Sequence, residues 1–180
     1  MRYDPRSVRQ AARVLRRGGV VGYPTESCFG LGCDPARPAA VRRLLRLKRR
    51  PQRKGLILIG DNAEALARYG VLTPAIQASW PGAVTWLVPG SRRAAPWIRG
   101  RHPAVALRVP DHAGARALAQ AAHTAVVSTS ANRAGDRAAR SGRELRRRFG
   151  RELDAVVTGQ IGRYRFPSRI MDAATGRRLR

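Results

Sequence analysis

Lysine is almost missing from this chain. Of its 36 basic residues only two are lysine, Lys48 and Lys54; the other 34 are arginine. Acidic residues are scarce as well, 11 in all, which leaves a formal net charge of +25. A field of that size attracts nucleotides, RNA and other polyanions whatever the fold. The arginine preference is strong enough to reflect composition bias in part, so the charge alone does not establish sequence-specific reading of nucleic acid. The only cysteines, Cys28 and Cys33, lie five apart with no second pair beside them. His102, His112 and His123 lack the spacing that brings ligands to one helix face. A metal site built from protein nitrogen and sulfur is therefore disfavoured, and the two thiols read as reduced and structural. No apolar run approaches the roughly 18 residues that cross a bilayer. The opening MRYDPRSVRQ has no secretory hydrophobic stretch, so the expected setting is cytoplasmic, without membrane partners.

Several nucleotide and hydrolase signatures are missing too. There is no Walker-type loop. The nearest approach to a dinucleotide fingerprint, Gly30–Pro35, has proline where the third glycine belongs. No strained serine elbow and no Ser/His/Asp or Cys/His spacing is present, which disfavours nucleophilic catalysis. Trp80, Trp86 and Trp97 could stack on bases, but two flank an apolar strand and read better as core.

What remains is an ordinary globular composition, 43% apolar over 180 residues, enough for one domain (1–180) with a core that needs no staples. Ser7 reads as the cap of a first helix that Gly18-Gly19 ends, and Val20–Tyr23 as a buried strand. A second helix over Ala39–Arg49 stops before Pro51, and Leu56–Ile59 follows as a strand. Further helices are expected at Asn62–Tyr69, near Pro74–Ser79, at Asp111–Ala122 with Asp111 as cap, and at Gly142–Phe149. Further strands are expected at Val84–Val88, Val105–Val109, Val126–Ser128, Ala155–Val157 and Arg169–Asp172. This alternation gives an α/β fold with a mixed sheet. The stretch 89–103 is too irregular to place.

Both lysines fall in one segment, LKRRPQRKGL (Leu47–Leu56). A compact, rotatable ammonium suits phosphate oxygens that shift during a reaction, whereas a solvated charge run at a helix end would not need it. Three loops, each read as following a strand, carry hydroxyl, amide or cationic groups: Tyr23–Gly32, Lys48–Gly55 and Val127–Gly135. Together they describe a site with phosphate cations, hydroxyl donors and an amide able to read a base or ribose.

The chain resembles the YrdC/TsaC family of threonylcarbamoyl-AMP synthases in its short, single-domain form. The resemblance rests on GGVVGYPTESCFGLGCDP, LKRRPQRKGLILI, WPGAVTWLVPG, VALRVPDH, VVSTSANRAG and PSRIMDAATG, in that order over most of the chain. It implies a twisted mixed parallel/antiparallel sheet flanked by helices, with a concave basic ligand-binding face. It implies an enzyme that combines L-threonine, bicarbonate and ATP into threonylcarbamoyl-AMP and pyrophosphate, for threonylcarbamoyladenosine formation beside the tRNA anticodon. Magnesium would be bound mainly through ATP, and tRNA threonylcarbamoyl-transfer proteins would take the product.

Carried over by motif, Lys48 and Arg50 of the K-x-R sequence would be the catalytic cations on the ATP phosphates. Ser130 and Asn132 of the S-x-N sequence would meet the nucleotide, with Ser128 adjacent and Arg180 on the same side. Thr25, Arg108 and Ser168 would face threonine, the guanidinium suiting its carboxylate. The chain departs from the pattern at Phe29, Ile59, Ala104, Ala138 and Arg169, each replacing a hydroxyl or histidine found in some relatives. Two rival readings stand beside this one: a non-catalytic RNA-binding or ribosome-assembly factor, and another ATP-dependent carbamoyl or acyl transferase. The second would carry further domains and metal-binding cysteines.

Overall fold

The computed structural model describes residues 3–180. Among the described residues there are seven α-helices: α1 Pro5–Arg16, α2 Pro38–Lys48, α3 Ala63–Ala67, α4 Pro74–Ala78, α5 Pro96–Arg99, α6 Ala113–Ala122 and α7 Gly142–Phe149. The strands are β1 Val21–Pro24, β2 Phe29–Gly32, β3 Ile57–Ile59, β4 Val84–Pro89, β5 Ala104–Arg108, β6 Val126–Ser130, β7 Ala155–Val156 and β8 Arg169–Asp172. They form one sheet in the order β7-β1-β2-β6-β3-β5-β4-β8. Pairs β7/β1, β3/β5 and β4/β8 are parallel and the rest antiparallel, so the sheet is mixed as expected.

Strand alternation decides which face each side chain serves. In β3 and β6, Leu58 and Val127 enter one core with Leu44 of α2, Ile98 of α5 and Phe149 of α7. Their neighbours Ile59 and Val126 enter a second core with Leu15 of α1 and Leu118 of α6. Helices thus cover both faces, and central strands are apolar on both sides, as a sheet buried between layers requires. Ile59 is 2% exposed in that second core, which accounts physically for an aliphatic residue there.

Local chemistry moved three expected features. The cap of α1 is Asp4, whose carboxylate accepts from the amides of Arg6 and Ser7 at 3.0 and 2.9 Å, with Pro5 opening the helix. Ser7 sits in the first turn instead, where its hydroxyl donates to Asp4 O and accepts from Thr158 N. His112 rather than Asp111 caps α6, accepting from Ala115 N through Nδ1. The segment after β1 is not simply a loop: Thr25–Cys28 turns the chain tightly and Phe29–Gly32 returns as β2, paired with β1 and β6. Gly32 permits that close pairing, since a Cβ there would lie 2.6 Å from Val127 O. Within 89–103, residues Pro96–Arg99 form the single turn α5.

Candidate active site

The cavity of interest has a volume of about 910 Å³. Its lining comes from the Thr25–Cys28 turn, the segment between α2 and β3, strands β5 and β6, the loop after β6, and β8 with the chain's last residues. Eight of the nine residues expected at the site line it: Thr25, Arg50, Arg108, Ser128, Ser130, Asn132, Ser168 and Arg180. The ninth, Lys48, does not. One of the three expected loops is also misdescribed by sequence, because Lys48–Gly55 follows helix α2 and leads into β3.

At one end, Arg108 closes β5 with its guanidinium spoken for on two sides. Its Nε donates to Gly82 O at 2.9 Å, and its Nη2 pairs with Glu26 Oε1. Nη1 has no protein partner among the described residues, so one N–H face is free for a carboxylate. Glu26 Oε1 also accepts from Asp111 N at 2.7 Å, whereas Oε2 is buried without a partner. Thr25 donates its hydroxyl to Cys28 O at 2.7 Å, keeping its lone pairs for a ligand. The Ser168 hydroxyl lies 2.8 Å from that of Thr85, a buried neighbour on β4.

Arg50 follows the helix end, where Arg49 adopts a left-handed conformation with φ 51°. Its Nη2 donates to Gly55 O at 2.9 Å, and its buried Nε has no partner among the described residues. An unsatisfied buried donor beside a cavity is a site for an anion. Burial depresses Arg50, and Arg180 adds to the effect; Arg180 is depressed by burial and then by Arg108. Arg180 thus feels the charges of its neighbours in the lining, and an anion placed among them would be favoured. Arg180 is steadied by donating to Ser168 O at 3.2 Å.

Lys48 ends α2 and lies behind the lining, bonded to the lining residues Ser130 and Asn132. It is 5% exposed, and its ammonium donates to Ser130 O, to Asn132 O at 2.8 Å and to Asn132 Oδ1 at 3.4 Å. Burial, reinforced by Arg50, lowers it to about 8. The Asn132 amide is also engaged. Its Oδ1 accepts from the Ser130 hydroxyl at 2.6 Å, and its Nδ2 donates to Arg133 O and Asp136 O. Ser128 also lines the cavity, its side chain close to the buried phenol of Tyr23.

Several lining groups carried no assignment from sequence. Arg99, Arg137, Arg140 and Arg165 extend the cationic lining beside Lys54, and Asp136 is its one acidic side chain. Glu26 stands behind the lining; an acid in the PTES turn of so basic a chain was the available signal. Among the described residues no group of three or more His, Cys, Asp or Glu could hold a metal ion. The cationic lining suits phosphate or carboxylate oxygens. Nor does any described helix have the length and apolarity to cross a membrane.

The Sua5/yciO/yrdC family model, described as telomere recombination, matches residues 13–180. The threonylcarbamoyl-AMP synthase of Halorhodospira halophila is 51% identical, covering 98% of this chain and 95% of its own length. The protein of that name from Thiobacillus denitrificans is 51% identical over 92% and 90%. Among solved structures, P. abyssi Sua5 complexed with L-threonine superposes with a TM-score of 0.91 at 27% identity over 99% of this chain. The match covers 54% of the P. abyssi protein, so this chain spans about half its length.

Proposed function

The chain belongs to the Sua5/YciO/YrdC family, and from that premise we propose that it is an L-threonylcarbamoyladenylate synthase acting on ATP, L-threonine and bicarbonate. The observation that carries this reading is the convergence of Arg50, Arg108 and Arg180 on one cavity of about 910 Å³, roomy enough for a nucleotide and an amino acid side by side. The synthase names of relatives about half identical over nearly their whole length support it.

In this account the threonine carboxylate meets Nη1 of Arg108, with Thr25 and Ser168 beside it. The ATP phosphates meet Arg50 and Arg180, and Ser128 with the Ser130–Asn132 loop receives the rest of the nucleotide. The threonine amine takes up bicarbonate with loss of water, giving an N-carboxylate. A carboxylate oxygen then attacks the α-phosphorus of ATP; the new P–O bond forms as the bond to pyrophosphate breaks, and pyrophosphate leaves with its electron pair. No covalent enzyme intermediate is required. The residues' task is to hold two anions together and to neutralise phosphate charge, which is catalysis by positioning and electrostatics. Magnesium entering on the nucleotide phosphates would supply further charge neutralisation there.

The net charge of +25 gives affinity for RNA, including the tRNA whose modification the adenylate serves, and proteins that transfer threonylcarbamoyl to tRNA consume the product in a cytoplasmic setting. A purely RNA-binding role is not favoured, because a groove for a polyanion has no use for the buried Glu26–Arg108 pair at the cavity's end. The test is mass spectrometry of a reaction supplied with ¹³C-bicarbonate. Threonylcarbamoyl-AMP carrying one heavy carbon, lost in Arg50→Ala, is the expected result; no labelled adenylate together with no threonine-dependent consumption of ATP would reject the reading.

A further inference from the structure

The two lysines drew attention as phosphate cations, yet one of them has nothing left to offer a phosphate. An ammonium has three N–H donors. Those of Lys48 meet three oxygens, Ser130 O, Asn132 O and Asn132 Oδ1, all in the loop that follows β6. Lys48 is 5% exposed and absent from the cavity lining that both Ser130 and Asn132 share. The contact is reciprocal, since Ala134 N donates back to Lys48 O at 3.1 Å. Asn132 completes the knot with its amide, accepting from Ser130 and donating to the carbonyls of Arg133 and Asp136. On the far side, Arg133 pairs with Glu152 at 2.7 Å and lies over the Phe149 ring at 5.1 Å.

We propose that Lys48 is a positioning residue: its ammonium locks the Ser130–Asn132 loop into the shape that receives the nucleotide, and it acts through that loop rather than on the phosphates. This rests on the synthase reading and deepens it, dividing the K-x-R sequence into a loop clamp, Lys48, and a ligand cation, Arg50. The division follows from the backbone. Lys48 is the last residue of α2, and the left-handed Arg49 reverses the chain before Arg50. Lysine is required because three convergent oxygens around one point match a tetrahedral ammonium; the planar fork of arginine spreads its donors apart. A chain built almost wholly on arginine keeps lysine at this place for that geometry.

The experiment compares Lys48→Met, Lys48→Arg and Asn132→Ala, singly and as the double variant of Lys48→Met with Asn132→Ala. Amide hydrogen exchange is read first, on protein without ligand. Exchange across residues 128–139 is expected to quicken about tenfold or more in Lys48→Met and Lys48→Arg, with β4 and β5 unchanged, because the loop loses its clamp. Turnover is read second. Lys48→Arg is expected to lose nearly as much as Lys48→Met, and adding Lys48→Met to Asn132→Ala to cost within about twofold, the signature of one shared unit. Should Lys48→Met fail to fold, Lys48→Arg carries both readouts. Unaltered loop exchange, near-full activity in Lys48→Arg, or losses that multiply in the double variant would each overturn the proposal in favour of direct phosphate contact. Exchange does not depend on turnover, so an inactive wild-type protein would reject the synthase reading while the clamp is still decided by the loop.

Discussion

Glu26 and Arg108 form an almost wholly buried ion pair across 82 residues of sequence, with side chains 3% and 12% exposed. The pair orients a guanidinium whose remaining face is open to the cavity. Removing one partner of such a pair leaves an uncompensated buried charge and costs about 3–5 kcal/mol. Glu26→Gln keeps the shape and one acceptor while removing the charge. It is expected to raise the KM for threonine about tenfold with the KM for ATP nearly unchanged, because orientation is lost at one end only. Steady-state kinetics in both substrates check this; equal effects on the two KM values would mean that the pair supports the whole fold and not the threonine end.

A second expectation concerns backbone. Gly100 has φ 67°, and a Cβ there would lie 2.5 Å from Arg53 O. Neither the conformation nor the space tolerates a side chain, so Gly100→Ala is expected to destabilise by about 1–3 kcal/mol. Because the Arg53 carbonyl belongs to the turn that presents Lys54, the same change disturbs the cationic lining. Urea unfolding measures the first effect and ATP affinity the second.

The scarcity of lysine makes one titration direct. A chain labelled with ¹³C-lysine shows two side-chain signals, and Lys54→Ala identifies which belongs to Lys48. Burial and the nearby Arg50 place that titration at about 8, against the ordinary 10.5, with the Cys28 thiol pulling the other way. Between those pH values the folded chain holds fewer protons here than the unfolded chain does. This residue's contribution to stability therefore rises with pH through the window from about 8 to 10.5. A Lys48 signal titrating at its ordinary value would mean that its hydrogen bonds offset the effect of burial.

Salt separates the basic surface from the cavity. Binding of an RNA oligonucleotide is expected to fall by about 10³-fold or more between 50 and 200 mM salt if six or more phosphates are engaged. Threonine-dependent turnover, which depends on groups buried in the cavity, is expected to change far less. Parallel declines in the two would argue that RNA and nucleotide share one site.

Much of this was legible in the sequence, and the failures have physical causes. The short apolar runs Leu56–Ile59 and Val126–Ser128 were legible as strands, and eight of the nine residues expected from the motifs line the cavity. Strand β2 was hidden because Gly30 and Gly32 carry no side chain to show a period of two. The cap of α6 went to His112, one residue later than its sequence pointed, because the imidazole also reaches Gln160 O at 2.9 Å, a tertiary contact that local propensity does not encode. Lys48 stands out in the sequence by its chemical type, but its hydrogen-bond partners do not. Its three acceptors lie 82 and 84 residues away, and only the folded pairing of β3 with β6 brings them to the end of α2.

The most direct measurement of the central claim is pyrophosphate release from ATP in bicarbonate and magnesium, with and without L-threonine. The account predicts release that requires threonine and falls about 10²-fold or more in Arg50→Ala, as for other donors to developing charge. Release indifferent to threonine, or none from a folded protein that binds neither substrate, would contradict it.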